Sequence, residues 1–169
     1  LMSSEYANQN TYDSIQIHGG SGFMKDYACE RLYRDARITS IYEGTSQLQV
    51  VAAIRHVTTG AYLTQMRAYL SEKVTPELEG LRTRLSAMAD LYEKRVTKVV
   101  DKKDNEYIDF HARRMVEMAG YIIMGCLLVS DATRNDEFVK SAEVFVNYAE
   151  AEVTKNASFI KSLNHKNIG

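Results

Sequence analysis

The amino-acid sequence predicts an all-α protein, arranged as an up-and-down helical bundle. Among its 169 residues are one proline and nine glycines, so few residues interrupt a helix. Apolar side chains also recur every three or four positions along most of the chain, as on one face of a helix. This length is sufficient for one domain with a core, or for one domain with an extension.

Charge, cysteine content and hydropathy narrow the class of protein. The 21 basic and 22 acidic residues leave a net charge of −1, so no basic surface for nucleic acid is predicted. Cys29 and Cys126 have no metal-ligand spacing and are interpreted as reduced, partly buried thiols, which is typical of the cytoplasm. The most apolar run, residues 121–129, is too short to span a bilayer, so we predict no transmembrane segment. The sequence also shows no signal peptide.

Two helices are predicted in the first 40 residues. The first covers residues 3–18 and ends at Gly19-Gly20, because glycine readily adopts the left-handed conformation found after helices. No strand precedes this glycine cluster, so on its own it predicts a helix–helix turn rather than a nucleotide site. The second helix covers residues 27–37 with Asp26 as its N-cap. It carries three arginines on one face, which we interpret as structural: Arg31, Arg34 and Arg37.

A third helix is predicted over residues 45–59. Thr45 or Ser46 can cap its N-terminus, and Gly60 ends it. Glu43 directly precedes this helix. Taken alone, an acid at that position most simply complements the partial positive charge of the helix N-terminus.

Four further helical stretches are predicted beyond Gly60. The first covers residues 63–74, and Thr75-Pro76-Glu77 is typical of a restart with threonine as N-cap and proline at the first helical position. Helices are then expected up to residue 99, over 107–132 and over 137–163. Long helices joined by short turns favour antiparallel packing, so this part predicts an additional helical hairpin or bundle. Residues 166–169 are expected to fray.

The apolar pattern also predicts which side chains face the core of this C-terminal part. They are Leu78, Leu81, Leu85, Met88, Tyr92, Val96 and Val99, then Tyr107, Phe110, Met118, Ile122 and Leu127, and finally Phe138, Val144, Phe145, Tyr148, Phe159 and Ile160. The methionines at helical spacing are expected to fill the core. His111 has no second histidine at ligand spacing, so we interpret it as a core residue and predict no metal site.

Two motifs closely resemble the C-terminal signature of the acyl-CoA dehydrogenases. The first is Gln16-Ile17-His18-Gly19-Gly20-Ser21-Gly22-Phe23. The second is Ile41-Tyr42-Glu43-Gly44-Thr45-Ser46-Gln47-Leu48-Gln49, which follows the arginine-rich run of residues 31–38. The resemblance implies that residues 1–60 are part of the family's C-terminal helical domain. Residues 61–169 would be a helical extension like that of some bacterial long forms, and the family's other two domains would lie upstream in a longer polypeptide.

The resemblance also implies a reaction. Members of the family convert an acyl-CoA thioester to the trans-2-enoyl-CoA in fatty-acid β-oxidation, with FAD as the hydride acceptor. By this resemblance Glu43 is the base that removes the α-proton, and its own backbone N–H binds the thioester oxygen. Tyr42, Gly44 and Arg55 would contact the substrate.

The cofactor residues and partners are implied in the same way. Gln16, Ile17, His18, Gly19 and Gly20 correspond to the segment that approaches the adenosine and pyrophosphate of FAD in a neighbouring subunit. Thr45, Ser46 and Gln47 correspond to positions near the flavin. The expected partners are an acyl-CoA substrate and an electron-transfer flavoprotein, in a dimer or tetramer in the bacterial cytoplasm. The fragment alone is expected to be inactive.

Two other functions are compatible with these residues. One is a flavoprotein of the same fold with a different reaction, such as an acyl-CoA oxidase or a DNA-repair-associated homologue. The other is a non-catalytic helical module that serves oligomerisation.

Overall fold

The computed structural model describes residues 1–164 and 166, and in this part of the chain it contains helices and no strand. The all-α prediction is confirmed. The chain divides into two compact units, Leu1–Ala52 and Ala53–Gly169. The predicted frayed tail, apart from Lys166, lies outside the described residues. The prediction that domains meet at residue 60 stays a prediction.

The first unit contains three helices and the start of a fourth. They are α1 (Met2–His18), α2 (Gly20–Phe23), α3 (Ala28–Ile38) and α4 (Ser46–Thr58), which crosses the boundary between the units. α1 packs against α2 and α3. Gly22 makes the corner possible, because a Cβ there would lie 2.7 Å from the carbonyl oxygen of Ile15.

The ends of two helices in the first unit differ from the prediction. Gly19 follows α1 with a positive φ of 59°, but its ψ of −141° is not that of the left-handed helical region. Asp26 was predicted to cap the second helix, and this is wrong: Tyr27 occupies the N-cap position of α3 and no side chain caps it. Met24 to Tyr27 form a separate turn, since Tyr27 N donates to Met24 O at 3.2 Å, and this turn places Asp26 one residue too early.

The second unit is a helical bundle. It contains α5 (Ala61–Leu70), α6 (Glu79–Val100), α7 (Asn105–Arg134) and α8 (Val139–Ser162). α7 packs on α5, α6 and α8, which makes it the central helix. Short connections reverse the chain between α6, α7 and α8, so α6 and α8 run parallel. Hydrogen bonds between α6 and α8 agree with this direction, because Arg84 contacts Glu150 and Arg95 contacts Ala157.

Local sequence signals explain where these helices begin. Pro76 opens a 3-10 turn, Pro76–Leu78, with Thr75 at the N-cap position, as the restart signal predicted. The Asp104 carboxylate accepts a hydrogen bond of 3.1 Å from Tyr107 N and so caps α7. Before α8, Asn135 likewise accepts from Glu137 N at 3.1 Å at the start of a second 3-10 turn, Asp136–Phe138.

The predicted core is correct for α6 and most of α7. The predicted residues of α6 and the preceding turn are buried, apart from Val96, which is half-buried. In α7, Phe110 is also half-buried. Leu127 was predicted to be buried, and this is wrong, because 43% of it is exposed. Its position lies on the arc of α7 that no described helix covers.

The predicted core of α8 is partly wrong. Phe138, Val144 and Tyr148 are exposed, Val144 by 70%, whereas Ile160 is buried as predicted and Phe145 and Phe159 are half-buried. The residues that α8 buries are mostly small, and one of them is polar: Ala142, Val146, Ala149, Val153, Asn156, Ala157 and Ile160. Small side chains allow α8 to approach α6 and α7 closely, and this moves the larger residues of the neighbouring arc to the surface.

His111 and the apolar character of α7 are both explained by packing. His111 is fully buried, with its ring 4.6 Å from that of Tyr107 and 4.8 Å from that of Phe110, so it lies in the core as predicted. Of the described helices, α7 alone is long and apolar enough to cross a membrane. Its apolar stretch is longer than the run of residues 121–129 that the sequence suggested. Half of its most apolar window is buried inside the bundle, as in the central helix of a bundle.

Candidate active site

The candidate site is the loop between α3 and α4, where the backbone takes an uncommon conformation. Glu43 has a φ of 55° and Gly44 a φ of 95°. For a residue with a Cβ, the left-handed region costs roughly 1–2 kcal/mol. Such conformations cluster at functional sites, where the surrounding structure holds them. The Glu43 side chain is exposed.

Hydrogen bonds hold this loop from both flanking helices. On the α4 side, the side-chain amide of Gln49 donates to the carbonyl oxygens of Glu43 at 3.2 Å and Gly44 at 3.5 Å. Ser46 N, at the start of α4, also donates to Ser40 O at 3.2 Å, and on the α3 side Arg37 donates to the Ser40 hydroxyl. This contact supports the structural interpretation of Arg37. Hydrogen bonds therefore fix both ends of the loop.

The N-terminus of α4 uses two hydroxyls in different ways. Thr45 Oγ1 accepts from Leu48 N at 3.3 Å, so the cap predicted for Thr45 or Ser46 is provided by Thr45. The Ser46 hydroxyl instead donates to a carboxylate oxygen of Glu5, on α1, at 2.8 Å. Sequence reasoning missed both Glu5 and Gln49. The Ser46–Glu5 contact spans 41 residues and has no local signal, and the Gln49 contact, although it spans only six residues, depends on the left-handed backbone of the loop.

A cleft of about 420 Å³ lies between the start of α1 and this loop. Its walls are more apolar than polar and also carry hydroxyls and the Gln49 amide, which is the mixture that small-molecule sites use. The lining residues are Leu1, Ser3, Ser4, Ala7, Thr39, Tyr42, Glu43, Gly44, Ser46 and Gln49. The structure thus brings together Tyr42, Glu43, Gly44 and Ser46.

The other predicted cofactor segment lies at the opposite end of α1. Gln16, Ile17 and His18 are exposed on its last turn, and a Cβ on Gly19 or Gly20 would have no neighbour within 4 Å. With 17 residues, α1 is about 24 Å long from first to last Cα. Residues 16–20 therefore do not contribute to the cleft at Glu43. They form a separate, open backbone surface.

The remaining predicted site residues are spread along α4. Thr45 and Gln47 are exposed beside the loop. Arg55 is exposed and belongs to the second unit. In the part of the chain that the structure describes, no group of His, Cys, Asp and Glu side chains could hold a metal ion.

Comparison with known proteins assigns the chain to a family. The family described as "Acyl-CoA dehydrogenase, C-terminal domain" matches residues 1–58, and that described as "Acyl-CoA dehydrogenase C terminal" matches residues 58–168. The chain belongs to the acyl-CoA dehydrogenase family. A crystal structure of an acyl-CoA dehydrogenase family protein from Porphyromonas gingivalis is similar, with a TM-score of 0.64 and 40% identity. The match covers 67% of this chain and 98% of that one.

Two curated relatives match about a third of the chain. The acryloyl-CoA reductase (NADH) of Anaerotignum propionicum is 56% identical over 57 residues, 34% of this chain and 14% of that protein. The mitochondrial short-chain specific acyl-CoA dehydrogenase of Bos taurus is 49% identical over 57 residues, with the same coverage. The matched part of the chain thus spans about a seventh of these relatives. The family comprises oxidoreductases that generally depend on FAD.

Proposed function

We propose that this chain carries the catalytic base and part of the FAD-binding surface of an acyl-CoA dehydrogenase that forms a trans-2-enoyl-CoA. The observation that carries the proposal is the conformation of Glu43. Its left-handed backbone is held at the edge of a cleft, directly before Gly44 and the N-terminus of α4. Backbone strain of this kind clusters at active sites, where it helps to position a reacting group.

The residues of this chain fit parts of FAD. Thr45, Ser46 and Gln47 present hydroxyl and amide groups at the start of α4, where a helix favours anionic or polar ligand atoms. Gly19 and Gly20 have no Cβ, and open space surrounds them, so a phosphate or ribose can approach their backbone. FAD, when bound, supplies the acceptor for the β-hydride. The separation of the two segments along α1 agrees with contacts to two different FAD molecules in an oligomer.

Glu43 has two roles in the proposed reaction. Its carboxylate accepts the α-proton of the thioester. Its backbone N–H donates to the thioester oxygen, where negative charge develops. Within the described chain, no hydrogen bond from the Glu43 N–H to another group is formed, which leaves this donor available. Gly44 leaves room for the thioester, and Tyr42 lines the pocket.

Water must be excluded from the surroundings of Glu43 for this chemistry. A carboxylate in water at pH 7 is a weak base for an α-proton, and an enzyme raises the pKa of such a base by excluding water. The first unit exposes many large apolar side chains, which is typical of a surface that contacts other protein. They are Tyr12, Ile17, Phe23, Met24, Tyr27, Leu32, Tyr33, Ile38, Ile41, Tyr42, Leu48 and Val51. We propose that the other domains of a longer polypeptide and a second subunit cover this surface.

A second candidate is the reverse reaction, reduction of an enoyl-CoA. It is favoured by the 56% identity to an acryloyl-CoA reductase. In that direction a protonated Glu43 donates the α-proton.

The proposed partners are an acyl-CoA and an electron-transfer flavoprotein, in a homo-oligomer of the bacterial cytoplasm. Reduction of an electron-transfer flavoprotein by the full-length enzyme with an acyl-CoA, without oxygen consumption, would distinguish the dehydrogenase from an oxidase.

The decisive experiment is Glu43→Gln in the full-length enzyme. Glutamine keeps the shape and the backbone N–H but cannot accept a proton at neutral pH. We expect bleaching of the oxidised flavin by a saturated acyl-CoA, followed by anaerobic stopped flow, to slow by about 10²–10⁴-fold or more. Acyl-CoA binding should persist. Bleaching of the variant at the rate of the unchanged enzyme would show that Glu43 is not the base. If the unchanged full-length protein contains no bound flavin, a non-catalytic module is favoured.

A further inference from the structure

The side-chain amide of Gln49 connects α4 to the two residues of the loop that have positive φ, Glu43 and Gly44. Gln49 lies in the first turn of α4, and its own N–H donates to Thr45 O at 2.9 Å. Its Nε2 lies 3.2 Å from the Glu43 carbonyl oxygen and 3.5 Å from that of Gly44. One NH₂ group thus bridges two consecutive carbonyls. We propose that Gln49 is the positioning residue that holds Glu43 in its reactive orientation, an inference that rests on the proposed function.

The need for such a contact follows from the backbone of Glu43. A residue with a Cβ prefers negative φ, and Glu43 has a φ of 55°. Without a contact that fixes the 43–44 peptide, rotation about φ and ψ would return Glu43 to a more common region. That rotation would turn both its carboxylate and its N–H, because both belong to one residue. The base and the donor to the thioester oxygen would lose their alignment together.

The chemistry of the contact requires a side chain with N–H donors, and the glutamine amide supplies two. Two carbonyl oxygens are acceptors, so their partner must carry two N–H donors, as an amide NH₂ does. Leucine has a similar shape and no donor, and glutamate would place a carboxylate oxygen against two carbonyl oxygens. The fit is tight, since a Cβ on Gly44 would lie 3.2 Å from Gln49 Nε2. Gly44 is therefore required both for its φ of 95° and for the space that the Gln49 amide occupies.

The position of Gln49 separates a positioning role from a role in core packing. Gln49 is exposed, whereas the next residue, Val50, is fully buried. Removing the amide therefore takes no side chain out of the core. Misalignment of a reacting group lowers the rate of the chemical step more than it lowers binding. Loss of the Gln49 contact should reduce kcat and spare the affinity for acyl-CoA.

The kinetic test uses Gln49→Leu in the full-length enzyme. We expect anaerobic flavin bleaching at saturating acyl-CoA to slow about 10²-fold, with unchanged flavin content and acyl-CoA affinity. Gln9→Leu is the matched control, because Gln9 is an exposed amide of the same unit that bonds only its neighbour Asp13. Its rate should equal that of the unchanged enzyme. An unchanged rate for Gln49→Leu, or a loss of affinity with an unchanged kcat, would overturn the proposal.

A second measurement reports on the contact without catalysis. The sequence contains two Glu-Gly pairs, Glu43-Gly44 and Glu79-Gly80. Labelling the 169-residue chain with ¹³C-carbonyl glutamate and ¹⁵N-glycine therefore gives two correlations by NMR. In Gln49→Leu the Glu43-Gly44 correlation should shift, as its carbonyl loses a donor, while Glu79-Gly80 stays as an internal reference. If the Glu43-Gly44 correlation does not shift, the proposed contact is wrong. If it shifts but Glu43→Gln still bleaches flavin normally, the proposed function has failed, and the contact remains as structure only.

Discussion

Leu85 of α6 packs directly against Gly125 of α7: a Cβ on Gly125 would lie 2.7 Å from Leu85 Cδ2. Leu85 is fully buried, so a Cβ at residue 125 would have to displace a core side chain. The absence of a side chain at residue 125 therefore sets how closely the central helix packs on α6.

We predict that Gly125→Ala leaves the chain about 1–3 kcal/mol less stable than Gly80→Ala, because only the first substitution overpacks a core. Both substitutions replace glycine by alanine within a helix, and the gain in helical propensity is at least as large in the interior of α7 as in the first turn of α6. A Cβ on Gly80 would have no neighbour within 4 Å, which makes it the matched control. Urea unfolding followed by circular dichroism measures the difference. Equal stabilities would show that the contact between Leu85 and Gly125 does not limit how α6 and α7 pack.

At the candidate site, we predict that Gly44→Ala is more destabilising than Gly60→Ala. Both glycines have positive φ, 95° and 77°, and alanine there costs roughly 1–2 kcal/mol. Only at Gly44 would the new Cβ also contact Gln49 Nε2, at 3.2 Å, and displace its hydrogen bonds. Thermal unfolding compares the two variants. If Gly60→Ala is as harmful as Gly44→Ala, the Gln49 contact does not constrain the loop.

Ionisation of the buried Cys126 thiol should make the free energy of unfolding depend on pH. Burial, aided by the nearby charge of Glu72, raises the pKa of Cys126 from 9.0 to about 12. Between these values the unfolded chain releases the thiol proton and the folded chain keeps it, so stability is retained below pH 9 and falls as the pH rises toward 12. The expected slope from this group is about 1 kcal/mol per pH unit. In Cys126→Ala the decline should be shallower by this amount in urea titrations from pH 8 to 11. Parallel declines would show that Cys126 ionises freely in the folded chain.

The orientation of α8 predicts opposite outcomes for two nearby valines. Val144 is 70% exposed and Val146 is fully buried. Val144→Ser should change the free energy of unfolding by less than about 0.5 kcal/mol. Val146→Ser should cost about 2–4 kcal/mol, because it removes buried methyl groups and places a hydroxyl in the core. Denaturant midpoints of the two variants test this, and a larger effect at Val144 would indicate that α8 is rotated.

Much of the helical architecture was predictable because its signals are local. The end of α1 at the Gly19-Gly20 pair, the Thr45 cap of α4 and the restart at Pro76 each depend on a few neighbouring residues. The core face of α6 was also predictable, since its large apolar residues form a single stripe. The motif around Glu43 is contiguous along the chain, so the amino-acid sequence alone is enough to recognise the resemblance to the acyl-CoA dehydrogenases.

Only the tertiary structure decided which arc of α8 is buried and how Glu43 is held. α8 has apolar residues on two adjacent arcs, and a 3.6-residue period does not say which arc a neighbouring helix covers. Close packing selected the arc with alanines and left Val144 and Tyr148 at the surface. The left-handed backbone of Glu43 and the hydrogen bond between Ser46 and Glu5 likewise depend on groups brought together by folding. Local sequence sets the propensity of each element, whereas burial and long-range hydrogen bonds depend on where the other elements lie.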